Sequence, residues 1–157
     1  MKLKVGATAP DFTLPDQDEK EHTLSDSLGS WVLIFFYPKD MTPGCTKEAC
    51  GIRDSWSQYR RNGIEVFGIS ADTTAKHKKF ADKHDLPFTL LADPEKTVIK
   101  KYGVWAPKKF MGREFLGILR HSVLIDPEGV VAKVYEKVKV GEHAEEVLAD
   151  KKALAKG

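Results

Sequence analysis

Residues Trp31-Val32-Leu33-Ile34-Phe35-Phe36-Tyr37 form an unbroken apolar run of strand length, ended by Pro38. Its β-branched and aromatic side chains read as a strand buried on both faces rather than as an amphipathic helix. Such a strand needs cover on both sides, which calls for helices above and below a central sheet. The rest of the chain supplies them. A second buried strand is read at 64–70 and a shorter one at 87–91. Between the strands at 31–37 and 64–70, residues 46–62 read as a helix, with Ala49, Ile52, Trp56 and Tyr59 spaced at three and four and Gly63 as its stop. Thr73 or Thr74 caps a helix to about residue 84, and Asp93-Pro94-Glu95 starts a short one to about 102. Residues 103–119 read as mixed and loop-rich. The runs 122–125 and 130–135 flank Asp126-Pro127-Glu128-Gly129 as an antiparallel hairpin. A last helix covers about 143–154, and the N-terminal segment reads as a short hairpin or extended arm with a helical turn near Ser25 and Asp26. The expectation is an α/β fold, one domain over 1–157, with a central mixed β-sheet and helices on both faces.

Composition excludes several classes of function. The 157 residues are 41% apolar, which argues against disorder, and the net charge of +2 gives no basic face for nucleic acid. No run approaches the roughly 20 apolar residues of a membrane span. The start, Met1 to Gly6, has two lysines but no apolar stretch behind them, so no secretory signal is read. A cytoplasmic protein with no membrane partner is expected. The basic clusters Lys76-His77-Lys78-Lys79 and Lys108-Lys109 lie among acids and read as solvated surface.

Chemistry concentrates at the end of the first strand. Cys45 lies one loop beyond it and opens the predicted helix, where free backbone N–H groups and the positive end of the helix dipole favour a thiolate. Position alone leaves two readings open, a reactive thiol and a buried structural one. Cys50 follows five residues later. In an unbroken helix that is ~7.5 Å along the axis and about 140° around it. The Cα atoms are then roughly 8.7 Å apart, beyond the ~7 Å a disulfide tolerates. A bridge between the two cysteines therefore requires local unwinding. A metal site is disfavoured, because there is no second cysteine pair and the five histidines lack ligand spacing.

The segment Pro38-Lys39-Asp40-Met41-Thr42-Pro43-Gly44-Cys45 matches the Pro-x-x-x-Thr-x-x-Cys motif of peroxiredoxins, and its continuation through Thr46-Lys47-Glu48-Ala49-Cys50 resembles the bacterioferritin comigratory protein, or peroxiredoxin Q, subfamily. Further matches follow in order: Gly6-x-x-Ala9-Pro10-Asp11-Phe12, Pro87-Phe88-x-Leu90-Leu91-x-Asp93 and Arg120-x-Ser122-x-x-Ile125-Asp126. The resemblance implies a thioredoxin-like fold and a thiol peroxidase acting on hydrogen peroxide and organic hydroperoxides. It implies Cys45 as the peroxidatic cysteine and Cys50 as the resolving one, joined in an intramolecular disulfide. Thioredoxin, or a glutaredoxin, would reduce that bridge. Thr42 would hold the peroxide and the thiolate, since a hydroxyl can donate and accept at once. Arg120 would place a permanent cation beside the sulfur. Pro38 would shield the pocket, and a backbone N–H of Gly44 or Cys45 would complete it. Glu48 would orient Arg120, or else stand exposed in the first helical turn. No cofactor or metal is implied, and a monomer is expected. His121 departs from the Ser or Thr common after this arginine, and reads as a strand residue pointing away from the pocket.

Two competing readings remain at this level. A thioredoxin-like disulfide oxidoreductase usually carries Cys-x-x-Cys, whereas the spacing here is Cys-x-x-x-x-Cys. A non-enzymatic sensor, chaperone or binding module could keep the same fold.

Overall fold

The structure is a computed structural model and describes residues 3–156; Met1 and Lys2, part of the N-terminal stretch read as carrying no secretory signal, lie outside the described residues, as does Gly157. The elements in chain order are β1 (Thr13–Pro15), β2 (Glu21–Thr23), a 3-10 turn (Leu24–Ser27), β3 (Trp31–Phe36), α1 (Pro43–Asp54), α2 (Trp56–Arg61), β4 (Ile64–Ser70), α3 (Thr74–His84), β5 (Thr89–Ala92), α4 (Thr97–Lys101), β6 (Trp105–Phe110), β7 (Arg113–Ile118), β8 (Ser122–Ile125), β9 (Val131–Tyr135) and α5 (His143–Lys156). Five strands form the central sheet in the order β5-β4-β3-β8-β9. Strands β3, β4 and β5 are parallel, while β8 runs antiparallel to both β3 and β9, so the sheet is mixed as expected.

The apolar run 31–37 divides between two cores because successive side chains of a strand point to opposite faces. Leu33, Phe35 and Tyr37 pack with Cys45, Ala49 and Ile52 of α1, Phe80 of α3 and Val147 of α5. Val32, Ile34 and Phe36 pack on the other face with Phe12, Leu14, Phe67, Ile69 and Ile99. Each of the Val, Leu, Ile and Phe side chains among them contributes about 1.5–3 kcal/mol by leaving water. Cys45 is thus seated in the layer between the sheet and α1. Across the β3–β4 pair, Gly68 stands opposite Phe35, and a Cβ on Gly68 would lie 2.6 Å from the Phe35 ring. The missing side chain there makes room for the aromatic ring.

Three sequence expectations are corrected. The helix read over 46–62 starts earlier, at Pro43, and breaks at Ser55, whose amide donates to Ile52 O. Proline suits a first helical turn, and serine competes for local backbone bonds. The helix expected from Asp93 begins only at Thr97; Asp93 still caps it, accepting from the Ile99 amide at 2.8 Å across a turn in which Lys96 is left-handed. The stretch 103–119 holds a regular two-stranded hairpin, β6–β7, turned at Met111 and Gly112 with positive φ at both. Its exposed Phe110, Met111, Phe115 and Leu116 carry no period-two pattern, which concealed it.

Candidate active site

The sheet register builds the site. In the β3–β8 pair Phe35 stands opposite Ser122, and the Phe36 amide donates to His121 O at 2.8 Å. The chain entering β8 therefore lies where β3 leaves for α1, so Arg120 and Cys45 meet across 75 positions of sequence. Arg120 Nη2 donates to Cys45 Sγ at 3.3 Å, and Nη1 donates to Glu48 Oε1 at 2.8 Å. Cys45 and Glu48 are each 1% exposed, and one turn of α1 puts both on the face that Arg120 reaches. Glu48 is therefore a buried hydrogen-bonding partner of Arg120 and not an exposed first-turn acid.

The charges are coupled. Burial pushes the Glu48 carboxyl up to about 7, with Arg120 pulling it partly back. Burial also works against the Arg120 cation, but Cys45 and Glu48 outweigh it and raise the guanidinium above its ordinary range. The guanidinium nitrogen lies 3.3 Å from the sulfur. Among the described residues Glu48 Oε2 has no hydrogen-bond partner, so this carboxyl is held from one side only.

The remaining expected residues take the following places. Gly44 lies against the guanidinium; a Cβ there would sit 3.1 Å from Arg120 Nη2. Thr42 is the N-cap residue of α1 but makes no side-chain cap bond among the described residues; its hydroxyl donates to Lys39 O at 2.8 Å. The helix itself offers no acceptor to the Gly44 and Cys45 amides. The Thr42 proton being engaged, its free lone pair makes it an acceptor in this state; of the two roles expected, the donor one is taken by Lys39. Pro38 is half-buried two residues beyond the end of β3. Cys50 is half-buried on the same continuous helix as Cys45, and both cysteines are free thiols.

Two clusters read as solvated surface are not so throughout. His77 is fully buried on α3, with Nδ1 2.6 Å from Asp40 Oδ2 and Nε2 2.9 Å from Leu91 O. Lys108 is half-buried; its Nζ donates to Ile118 O at 3.0 Å, and it shares the field of Arg120 and Cys45. The apolar neighbours of His77, Phe80 and Ala81 three and four positions on, were the one sequence signal that it faces inward. Asp40, Asp72 and His77 have donor atoms within 4.8 Å of one another, the chemistry of a metal site, but all three are engaged in hydrogen bonds within the protein. His121 is buried and precedes β8; burial lowers its pKa.

Comparisons with known proteins agree with this geometry. A family model described as the AhpC/TSA family matches residues 5–134. The chain is 47% identical over 146 residues to the peroxiredoxin Bcp of Escherichia coli, covering 93% of this chain and 94% of that protein. It is 43% identical over 155 residues to the peroxiredoxin Bcp of Bacillus subtilis, covering 99% of each. Among solved structures it resembles the bacterioferritin comigratory protein of Xanthomonas campestris, a protein described with alkyl peroxide reduction activity, at TM-score 0.89 and 34% identity over 98% of each chain. No described helix is long and apolar enough to cross a membrane.

Proposed function

The chain belongs to the AhpC/TSA family as a peroxiredoxin of the Bcp type, a thiol peroxidase, and on that premise we propose that Cys45 is its peroxidatic cysteine and Cys50 its resolving cysteine. The observation that carries the assignment is the contact of Arg120 with both Cys45 Sγ and Glu48 Oε1. The Cys45 thiolate attacks one oxygen of ROOH. The O–O bond breaks, the sulfur becomes sulfenic acid, and the leaving RO⁻ takes up a proton as ROH, or as water when the substrate is hydrogen peroxide. Arg120 stabilises the negative charge as it passes from sulfur to the leaving oxygen. Thr42 accepts the peroxide hydroxyl through its free lone pair, the Gly44 and Cys45 amides face the developing oxyanion, and Pro38 limits water at the sulfur. Glu48 holds the guanidinium in place.

Cys50 thiol then condenses with the sulfenic acid, forming the S–S bond and releasing water. A dithiol protein of the thioredoxin type reduces the bridge by exchange. The substrates are hydrogen peroxide and organic hydroperoxides, and the protein works as a cytoplasmic monomer of one domain. The test is steady-state consumption of hydrogen peroxide and an alkyl hydroperoxide with thioredoxin, its reductase and NADPH. Wild type turns over, Cys45→Ser does not, and Cys50→Ser loses thioredoxin-dependent turnover. Equal consumption by wild type and Cys45→Ser would sink the proposal. Strong insulin reduction without peroxide consumption would point instead to a disulfide oxidoreductase.

A further inference from the structure

The Lys39–Asp40 peptide unit, in the turn between β3 and α1, is held at both ends. Its carbonyl accepts the Thr42 hydroxyl at 2.8 Å, and its N–H donates to Asp72 Oδ2 at 2.8 Å. Asp72 Oδ2 also accepts from Ser70 Oγ at 2.7 Å, at the end of β4. The Asp40 side chain is fixed as well. Its Oδ1 accepts from Tyr37 OH at 2.6 Å, and its Oδ2 faces His77 Nδ1 at 2.6 Å. His77 Nε2 lies 2.9 Å from Leu91 O, which can only accept, so Nε2 carries a hydrogen. A contact of 2.6 Å between Nδ1 and a carboxylate oxygen then needs a second hydrogen shared between His77 and Asp40. The ends of β3 and β4, strand β5 and helix α3 thus all converge on one turn. That turn needs support, because Met41 within it is left-handed at φ 67, a conformation costing a non-glycine residue about 1 kcal/mol or more.

We propose that Asp40, Asp72 and His77 are positioning residues for the peroxidatic step, acting through the Lys39–Asp40 peptide to fix the Thr42 hydroxyl. Asp72 sets the tilt of the peptide plane, the Asp40–His77 pair sets its depth, and the carbonyl of that plane takes the one proton Thr42 has to give. The Thr42 lone pair is thereby aimed before any peroxide arrives. A loosened plane would release the hydroxyl to rotate, and misplacement of such a group by about 1 Å can cost up to ~100-fold in rate.

The inference rests on the assignment of Cys45 and Thr42 above, and a double-mutant cycle separates the two. The measurement is the second-order rate constant for oxidation of Cys45 by hydrogen peroxide in stopped flow. It is made on wild type, Asp72→Ala, Thr42→Val and the double variant, with thermal midpoints for each. Asp72→Ala is expected to lose at least about 10-fold against wild type but less than about 2-fold in the Thr42→Val background, and Asp72→Asn, which keeps an acceptor, to recover most of the loss. Equal losses in both backgrounds, or no loss from Asp72→Ala, would overturn the proposal while leaving the peroxidase assignment standing. A wild type with no Cys45 oxidation would overturn that assignment. Should Asp72→Ala not fold, His77→Asn, which keeps a donor toward Asp40 but loses the bond to Leu91, runs the same cycle and is read by the same criterion.

Discussion

At the scale of single residues, the candidate site depends on one guanidinium that reaches both Cys45 Sγ and Glu48 Oε1. Arg120→Met removes the cation from Cys45 and leaves the buried Glu48 carboxyl without its partner. We expect the peroxide rate constant to fall by about 10²–10³, as for other lost charge-stabilising donors. Gly44→Ala reports the same contact from the other side. Its Cβ would crowd Arg120 Nη2 at 3.1 Å, so a smaller loss of rate with little loss of stability is expected. Glu48 makes a pH prediction. Its carboxyl holds its proton to about 7 in the fold but titrates near 4.5 in an ordinary environment. Between these values the folded state binds more protons than the unfolded one. Stability therefore falls as pH rises through that window, by a contribution on the order of 3 kcal/mol complete above its upper end. Denaturant titrations of Glu48→Gln should lack this contribution, and parallel pH curves for the two proteins would contradict it.

At the scale of elements, helix α1 is required to be two things. It is continuous from Pro43 to Asp54 in the reduced protein, which keeps the Cys45 and Cys50 Cα atoms roughly 8.7 Å apart, too far to bond. Disulfide formation must then unwind its first turns. Amide hydrogen exchange is expected to be faster at 43–50 in peroxide-treated protein than in reduced protein, with α5 less affected. Cys50→Ser should form the sulfenic acid and stop there, and should overoxidise at lower peroxide doses than wild type. Protection at 43–50 that survives oxidation intact would mean that Cys50 does not resolve Cys45. The sequence made most elements legible, because the apolar runs at 31–37 and 64–70 and the spacing of Ala49 and Ile52 carry strand and helix periods unmixed. It failed at β6–β7, where both faces of the hairpin are largely exposed and the turn uses Met111 in place of Asn or Asp. It also missed the break at Ser55, which local backbone geometry imposes inside a helical pattern.

At the scale of the whole molecule, the two-sided sheet is what brings distant residues to Cys45. Strand β3 is buried on both faces, and its fit against β4 requires the bare Gly68 opposite Phe35. Gly68→Ala should destabilise the fold by about 1–3 kcal/mol through overpacking, seen as a lower denaturation midpoint. The local half of the candidate site was legible in the chain: Pro38, Thr42, Gly44, Cys45 and Cys50 lie in one segment of recognisable spacing. Arg120 was legible only through its resemblance, because its closeness to Cys45 is created by β3–β8 pairing. Asp40 was not legible and His77 only through the helical spacing of Phe80 and Ala81, since a histidine among lysines and an aspartate in a loop read as solvated until the fold buries them together. The proposed chemistry turns on Cys45 being the atom-transfer site of this molecule. It is tested most directly by treating Cys50→Ser with one equivalent of hydrogen peroxide in the presence of a sulfenic-acid-trapping dione, then locating the adduct by peptide mass spectrometry. The adduct is expected on Cys45, and an intramolecular Cys45–Cys50 disulfide when wild type is treated in the same way. An unlabelled Cys45, or a wild type whose main product is a Cys45–Cys45 dimer, would contradict it.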